Sequence, residues 1–581
     1  MNKIKYIIPF ALIIIFGSCK KDFFDINVDP NNPTDAPINL LLPTAQRTLG
    51  DALALGGSGE NGGLSQELST YVHHISTREE ADQYGITGQN FYTNLAWPKF
   101  YASSPPPGES APLYGILQNL EEIIAKSTED ENLWYRGIAK VLKAYSYSQL
   151  VDVFGDIPFT EANKLNDATN PIIYPTFDDD AAIYPQLFTM LDEAIADLGT
   201  SEQSNALIPA DDDLIYGGNI ANWIKAANTI KLKLYTQTRL VDDVSAEVTA
   251  LLANPDQLIN SLDESFLLPY GTLGATDDRN PGFGEYFAPQ RSNHISPWFY
   301  ETLMGRNSLI HTGIRDPRIQ YYWYNQLTPT ETPQNQTEYR DHSFATIYFG
   351  SVGPDKDRSN QVSLSVVGLY PVGGRYDDSV GITVSGTSGT GSAPYRFITY
   401  PDRLFLEAEL INAGLAPGNE REVLEAAITA SFEQVDQVIG FVQPTQTVPL
   451  MSSATVQPKV DAYIAAVMAE YDANPAKHLQ IIMTQKWIQT FGSEVDPYTD
   501  YRRTGFPIIW DPSNETMAPG GFAQPPVDGD PFQPAQKKVP VLLGRTFPQS
   551  LPWPRSELEV NVNAPSQKSP GDPSAKIFWK P

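Results

Sequence analysis

Apolar positions recur at helical spacing through much of the first half of the chain and again after residue 398. Trp134, Ile138, Val141, Tyr145 and Leu150 keep to one broad face, which Leu142 and Val153 widen. Gly155 then stops the helix and Asp156-Ile157-Pro158 turns the chain. Trp223, Ala227, Ile230 and Leu234 step by four, three and four, and Leu404, Ala408 and Ile411 step by four and three before Gly414, a C-terminal cap. Ile481, Thr484, Ile488 and Phe491 repeat the pattern before Gly492. Shorter amphipathic runs lie at 113–126, 181–198 and 458–471. The pattern predicts a mainly all-α fold of paired helices at tetratricopeptide-like lengths, without a clean consensus repeat. Residues 255–397 behave differently. Gly, Pro, Asn, Ser and Thr dominate, and segments such as ATIYFG and VSLSVVGLY read as small strands or irregular cover. The helical core is therefore expected from about 37–254 and 398–492, with a loop-rich insertion between and a proline-rich tail over 493–581 that wraps rather than adding long helices.

The start of the chain has another pattern. Lys3 and Lys5 precede an apolar run, Ile7 to Phe16, and Gly17-Ser18-Cys19 follows. The run has the length of an export signal and is too short to span a bilayer as a helix. Cys19 is the only cysteine in 581 residues. A lone cysteine is commonly a small buried hydrophobe, a free thiol or half of an intermolecular disulfide. Its place directly after two small residues favours a lipobox instead. Residues 1–18 then form a lipoprotein signal peptide, Cys19 is the acylated first residue, and 19–36 is a lipidated tether. Two or more acyl chains anchor a protein stably where one does not.

Charge narrows the possible partners. The sequence holds 40 basic and 69 acidic residues. Cleavage before Cys19 removes two lysines and no acids, leaving 38 against 69, a net charge of −31. Binding to nucleic acid or to an anionic lipid surface through a basic patch is not expected. One cysteine allows no intramolecular disulfide and no thiolate metal site. Asp25, Asn27, Asp29 and Asn31 copy the start of a calcium loop, but the sixth-position glycine is missing and Ala36 stands where a bidentate Glu is needed. Neighbouring His73 and His74 would diverge by about 100° on a helix and make a poor metal pair. HExxH, P-loop, GxGxxG and GxSxG patterns are all missing from the sequence. No cofactor, metal or catalytic residue is assigned. A glycosidase-type carboxylate pair stays open, because two acids at the right spacing can come from anywhere in the chain.

Seven segments, in order, resemble the SusD/RagB family of nutrient-binding outer-membrane lipoproteins of Bacteroidota. They are FFDINVDPNNPT (23–34), LVDVFGDIPFTEA (150–162), YGGNIANWIKAANTIKLKLYTQTR (216–239), Asp316-Pro317-Arg318 with Tyr321, Tyr322 and Trp323, ITYPDRLFLEAELINAG (398–414), QKWIQTFGSEVDPYTDYRRTGFP (485–507) and FPQSLPWPRSELEVN (547–561). The resemblance covers essentially the whole mature chain. It departs at Asp402, where Glu is more familiar, and in the longer wording of FGSEVDPYTD. It implies one SusD-like domain over 37–581, an α-superhelix of helix pairs carrying variable loops. It also implies a SusC-like, TonB-dependent barrel as partner and an oligomeric cargo, a glycan or in some members a peptide. Lys20-Lys21-Asp22 resembles a surface-export signal, so the protein is expected at the cell surface.

A sugar ring offers flat C–H faces and a rim of hydroxyls, so its site needs open aromatic planes beside Asn, Gln, Asp or Arg. Two loop segments supply that mixture: 82–94, with Tyr84, Asn90, Phe91 and Tyr92, and 282–300, with Tyr286, Phe287, Arg291 and Trp298. The alternative is that these rings pin loops to the core or pack on the barrel. Trp134, Trp223 and Trp487 are expected in the core. Arg502-Arg503 are expected to form a structural ion-pair network with Glu494, Asp496 and Asp500, and the runs Asp178–Asp180 and Asp211–Asp213 to be solvated turns or helix caps. Three functions remain: a nutrient-binding lipoprotein working with the barrel, a structural lid without its own specificity, and an extracellular polymer hydrolase.

Overall fold

The structure is a computed structural model that describes residues 36–56, 63–77, 84, 91–101, 115–165, 170–328, 330, 339–351, 361–511, 514, 517, 546–569 and 571–581. The Cys19 lipobox, the tether and the rejected calcium loop lie outside the described residues.

The first helices are α1 (Ile38–Leu53), α2 (Leu64–Tyr71), α3 (Phe91–Tyr101), α4 (Ile116–Glu129), α5 (Leu133–Phe154), α6 (Asp180–Leu198), α7 (Ile220–Thr238) and α8 (Ser245–Leu252). Within the insertion, α9 spans Pro297–Leu303. The second helical block holds α10 (Tyr400–Asn412), α11 (Glu420–Val442), α12 (Gln457–Ala473), α13 (His478–Gln489) and α14 (Val495–Thr504). Successive helices pack on one another: α1 on α4, α4 on α5, α5 on α6, α6 on α7, and α10 on both α11 and α13. The link between α4 and α5 is so short that the two run antiparallel.

The caps follow the sequence. Gly155 ends α5 at φ 74°, a conformation a β-carbon resists. Asp179 caps α6 by accepting from the Ala181 N–H at 3.0 Å. Asp402, the departure from the family pattern, closes a capping box with Thr399 at the start of α10. The α5–α6 crossing depends on Gly137, where a β-carbon would stand 2.6 Å from Leu198 Cγ and 3.0 Å from the Ala194 carbonyl oxygen.

Strands are short and paired in twos, all antiparallel. β1 (Ile75–Thr77) pairs with β5 (Asn293–Ile295), β2 (Ile157–Pro158) with β3 (Phe177–Asp178), and β4 (Phe266–Leu268) with β10 (Tyr395–Ile398). In the insertion, β6 (Trp323–Tyr324) pairs with β9 (Val366–Val367), and β7 (Tyr339–Asp341) with β8 (Phe344–Thr346). VSLSVVGLY and ATIYFG thus each contribute a strand, as expected.

One hydrophobic cluster runs from Ile38 to Trp579. Trp223 and Trp487 are buried in it, whereas Trp134 is only half-buried and its indole N–H donates to the Thr200 carbonyl at 3.2 Å. Residues 547–579 return to α5. The Trp579 indole donates to Asp152 Oδ1 at 3.0 Å, the Tyr184 hydroxyl donates to the same oxygen, and Arg502 donates to the Asp152 main-chain carbonyl. Burial raises the Asp152 carboxyl above its ordinary value, against the pull of Lys233.

The buried charges differ from the expected network. Asp500 pairs with Lys486 and Arg503 at 2.7 Å each, and Arg503 also grips the fully buried Glu409, which accepts from Arg239 at 2.7 Å. Asp496 instead pairs with Lys233 at 2.6 Å, and Glu494 with His74 at 3.1 Å. Arg502 meets no carboxylate among the described residues. It donates to the carbonyls of Tyr498, Gln549 and Asp152. Asp213 is not solvated either. It is buried and accepts from the Trp223 indole (2.7 Å), the Gln46 amide (2.8 Å) and the Gly218 N–H (3.0 Å), pinning the turn before α7.

Candidate functional site

β1 leads directly toward segment 82–94, and β5 lies inside segment 282–300. Their pairing sets Ile75 opposite Ile295, Ser76 opposite His294 and Thr77 opposite Asn293. The Ser296 N–H extends the ladder by donating to the His74 carbonyl at 3.0 Å. Residues 75–77, ahead of the first candidate segment in sequence, are thereby joined to the second. Asn90 lies outside the described residues, and the side chains of Phe91 and Tyr92, on the first turn of α3, are likewise not described.

Tyr84 and Trp298 both lie inside the protein. Tyr84 shares a 2.6 Å hydrogen bond with His73 Nε2 and meets Phe349 edge-on at 5.1 Å. Phe349 in turn meets Trp510 at 5.6 Å. The Trp298 indole donates to the Ile508 carbonyl at 3.1 Å, and the Trp298 main-chain N–H donates to Ser296 Oγ. Both rings are buried. His73 does not continue the helix: α2 ends at Tyr71 and His73 takes φ 59°. Burial pushes its imidazole down to about 3, so it is neutral at ordinary pH.

Tyr286 and Arg291 also face inward and hold loops. The Tyr286 hydroxyl donates to the Val367 carbonyl and accepts from the Arg375 N–H, each at 2.8 Å, and the ring stacks on Phe283 at 4.7 Å. Arg291 donates to the carbonyls of Glu285 (2.9 Å), Val384 (3.3 Å) and Gln361. These are the contacts expected of loop pins.

Phe287 is different: it is 53% exposed. The Arg279 guanidinium lies over its ring at 4.7 Å, donates to Asp277 Oδ1 at 2.7 Å and reaches the Gly386 carbonyl at 3.3 Å. Exposed Ser385 and Thr387, whose hydroxyl oxygens are 3.0 Å apart, and exposed Asp277 complete a polar rim. An open ring beside a cation, a carboxylate and hydroxyls is suited to a sugar's C–H face and hydroxyl edge. Arg279 and Asp277 were not singled out by sequence, although they stand in DDRNPGFGEYF immediately before the chosen run. Among the described residues no group of three or more His, Cys, Asp or Glu is placed to hold a metal ion, and no helix is long and apolar enough to cross a membrane.

The chain is thus a mainly helical scaffold that carries this open ring on an inserted set of loops. The profile of the SusD-like family, described as starch-binding and associating with the outer membrane, matches residues 30–524, and the chain belongs to that family. No curated protein matches it. Solved structures share the fold. A chitin-binding protein is 18% identical with a TM-score of 0.63, covering 94% of this chain and 100% of its own. A SusD/RagB family protein of Bacteroides thetaiotaomicron is 19% identical with a TM-score of 0.63, over 94% and 99%. A SusD homologue of Parabacteroides distasonis is 17% identical with a TM-score of 0.61, over 93% and 98%.

Proposed function

We propose that this protein is a cell-surface lipoprotein, acylated at Cys19, that captures an oligomeric nutrient and delivers it to a SusC-like, TonB-dependent barrel in the outer membrane. The observation that carries this reading is the match of the SusD-like family across residues 30–524. A glycan is the favoured cargo and a peptide the alternative. The open Phe287 ring with its Arg279, Asp277 and Ser385 rim supports a glycan, as does the similarity in fold to a chitin-binding protein. The protein binds and does not turn its cargo over. Tyr84, Tyr286, Arg291 and Trp298 hold the loops from within, and Phe287 makes contact; Asn90, Phe91 and Tyr92 are further contact residues in this reading.

Calorimetric titration of residues 20–581 against neutral oligosaccharides and peptides tests the reading. Saturable binding of an oligosaccharide, weakened about tenfold in Phe287→Ala without a change in melting temperature, is the expected result. Silence across the panel, with uptake by the intact complex preserved in Phe287→Ala, would leave the structural lid. Product release from any oligosaccharide would mark a hydrolase.

A further inference from the structure

A second site lies away from the Phe287 face. A cavity of about 660 Å³ opens between the turn Gly313–Tyr321 and one face of α12. On the helix side it is lined by Val456, Lys459, Ala462, Tyr463 and Ala466, which share a face at three- and four-residue spacing. The volume lies within the range of small-ligand sites.

Two of its lining residues, Arg315 and Lys459, are exposed cations. Neither makes an ion pair or side-chain hydrogen bond among the described residues, in a chain where 69 acids outnumber 40 bases. Among the described residues, the buried cations Arg503, Lys486 and Lys233 are by contrast paired with carboxylates. The acid in the lining does not cancel the pair: Asp316 is held by Arg318, with Nη2 to Oδ2 at 2.6 Å and Nε to Oδ1 at 3.0 Å. Asp461 points from the opposite face of α12 and accepts from Gln457 at 2.8 Å, and Glu470 is bonded to His311 at 2.6 Å. The cavity therefore presents two cations with no carboxylate partner among the described residues, beside apolar walls; Asp436, near Tyr321, accepts from the Met451 and Ser452 N–H groups and the Ser452 hydroxyl.

We propose that this cavity is a binding site for the carboxylate of a uronic-acid unit in an acidic oligosaccharide, with Arg315 and Lys459 as its anion-binding pair. The proposal rests on the reading of the protein as a glycan binder. An Arg fork matches a carboxylate in geometry, and Lys adds a point charge. The Gln320 amide already donates to the Asp377 carbonyl at 2.8 Å, which leaves its oxygen to accept from a sugar hydroxyl. Ile319, Val456 and Ala466 offer a sugar's C–H face an apolar wall. A peptide C-terminus fits less well, because it is captured by main-chain N–H groups. Here the N–H groups of Gly313, Ile314 and Asp316 already donate to the carbonyls of Gly305, His311 and Leu303 at 2.7, 2.9 and 2.8 Å.

The test is calorimetric titration of residues 20–581 with a trigalacturonate, its fully methyl-esterified form and a short acidic peptide. Trigalacturonate should bind saturably, and its affinity should fall at least about tenfold in Arg315→Ala/Lys459→Ala and in about 0.5 M NaCl. The esterified form should bind the wild type and Arg315→Ala/Lys459→Ala alike, because it carries no carboxylate for the pair to hold. Both substitutions fall on exposed side chains, so the melting temperature should hold. Equal affinity in the double variant, or binding of the acidic peptide in place of the uronate, would overturn the inference. If neutral oligosaccharides bind and trigalacturonate does not, the second site fails and the glycan-binding function stands. If no glycan binds, both fail.

Discussion

At the scale of single residues, the sequence showed chemistry but not direction. Tyr84, Tyr286, Arg291 and Trp298 stand in sequence where aromatic and polar groups lie together in loops. Three-dimensional packing turns all four inward, and Phe287 alone of the five described candidates keeps a large open surface. Nothing in a loop's composition states which side of the chain faces the core, because no helical or strand period sets a face there. Glu409 shows a related gap. It sits in a plain helical run, and only the approach of Arg239 and Arg503 from other helices reveals it as the hub of the buried charges. His73 yields a prediction. Its imidazole, near 3 when folded, returns to about 6.5 when unfolded. The unfolded chain thus binds the extra proton between those values, so stability is fully present above pH 6.5 and is lost as pH falls toward 3. A loss on the order of 2 kcal/mol by pH 5 is expected in urea melts. His73→Asn, which tolerates positive φ, should flatten that slope. An unchanged slope would show that His73 is accessible to protons in the folded state.

At the scale of elements, period and punctuation served well. The runs around Trp134, Trp223, Leu404 and Ile481 are α5, α7, α10 and α13, and the glycines at 155, 414 and 492 all take positive φ. The longest helix, α11, was not singled out within its block, because its buried face includes Ser431 and Gln434 and so reads as interrupted. β1 and, in the insertion, β5 are three residues each, too short to show alternation, yet they pair across more than two hundred residues. The α5–α6 crossing depends on a residue no hydrophobic pattern marks. Gly137→Ala should cost about 1–3 kcal/mol in thermal or urea unfolding, through overpacking against Leu198 and the Ala194 carbonyl. A neutral or stabilising result, as at an ordinary helix glycine, would mean the two helices can part without loss.

At the scale of the whole molecule, one core joins residues far apart in sequence, and Trp579 is its most distant contributor. Trp579→Ala should destabilise the protein by about 3–5 kcal/mol, since it opens a cavity against α5 and removes a donor from Asp152. Urea midpoints measure this, and glycan affinity per folded molecule should not change. The Asp152 contacts also bear on timing. Asp152, Tyr184, Arg502 and Trp579 meet at one point although they are made in that order over more than four hundred residues. A chain threaded outward from its first residue cannot complete this point until Trp579 has emerged. Until then α5 holds a buried carboxylate without its full set of donors, which delays native closure. In the exported lipoprotein proposed above, such late closure would keep the chain open while it is threaded through a narrow secretion channel.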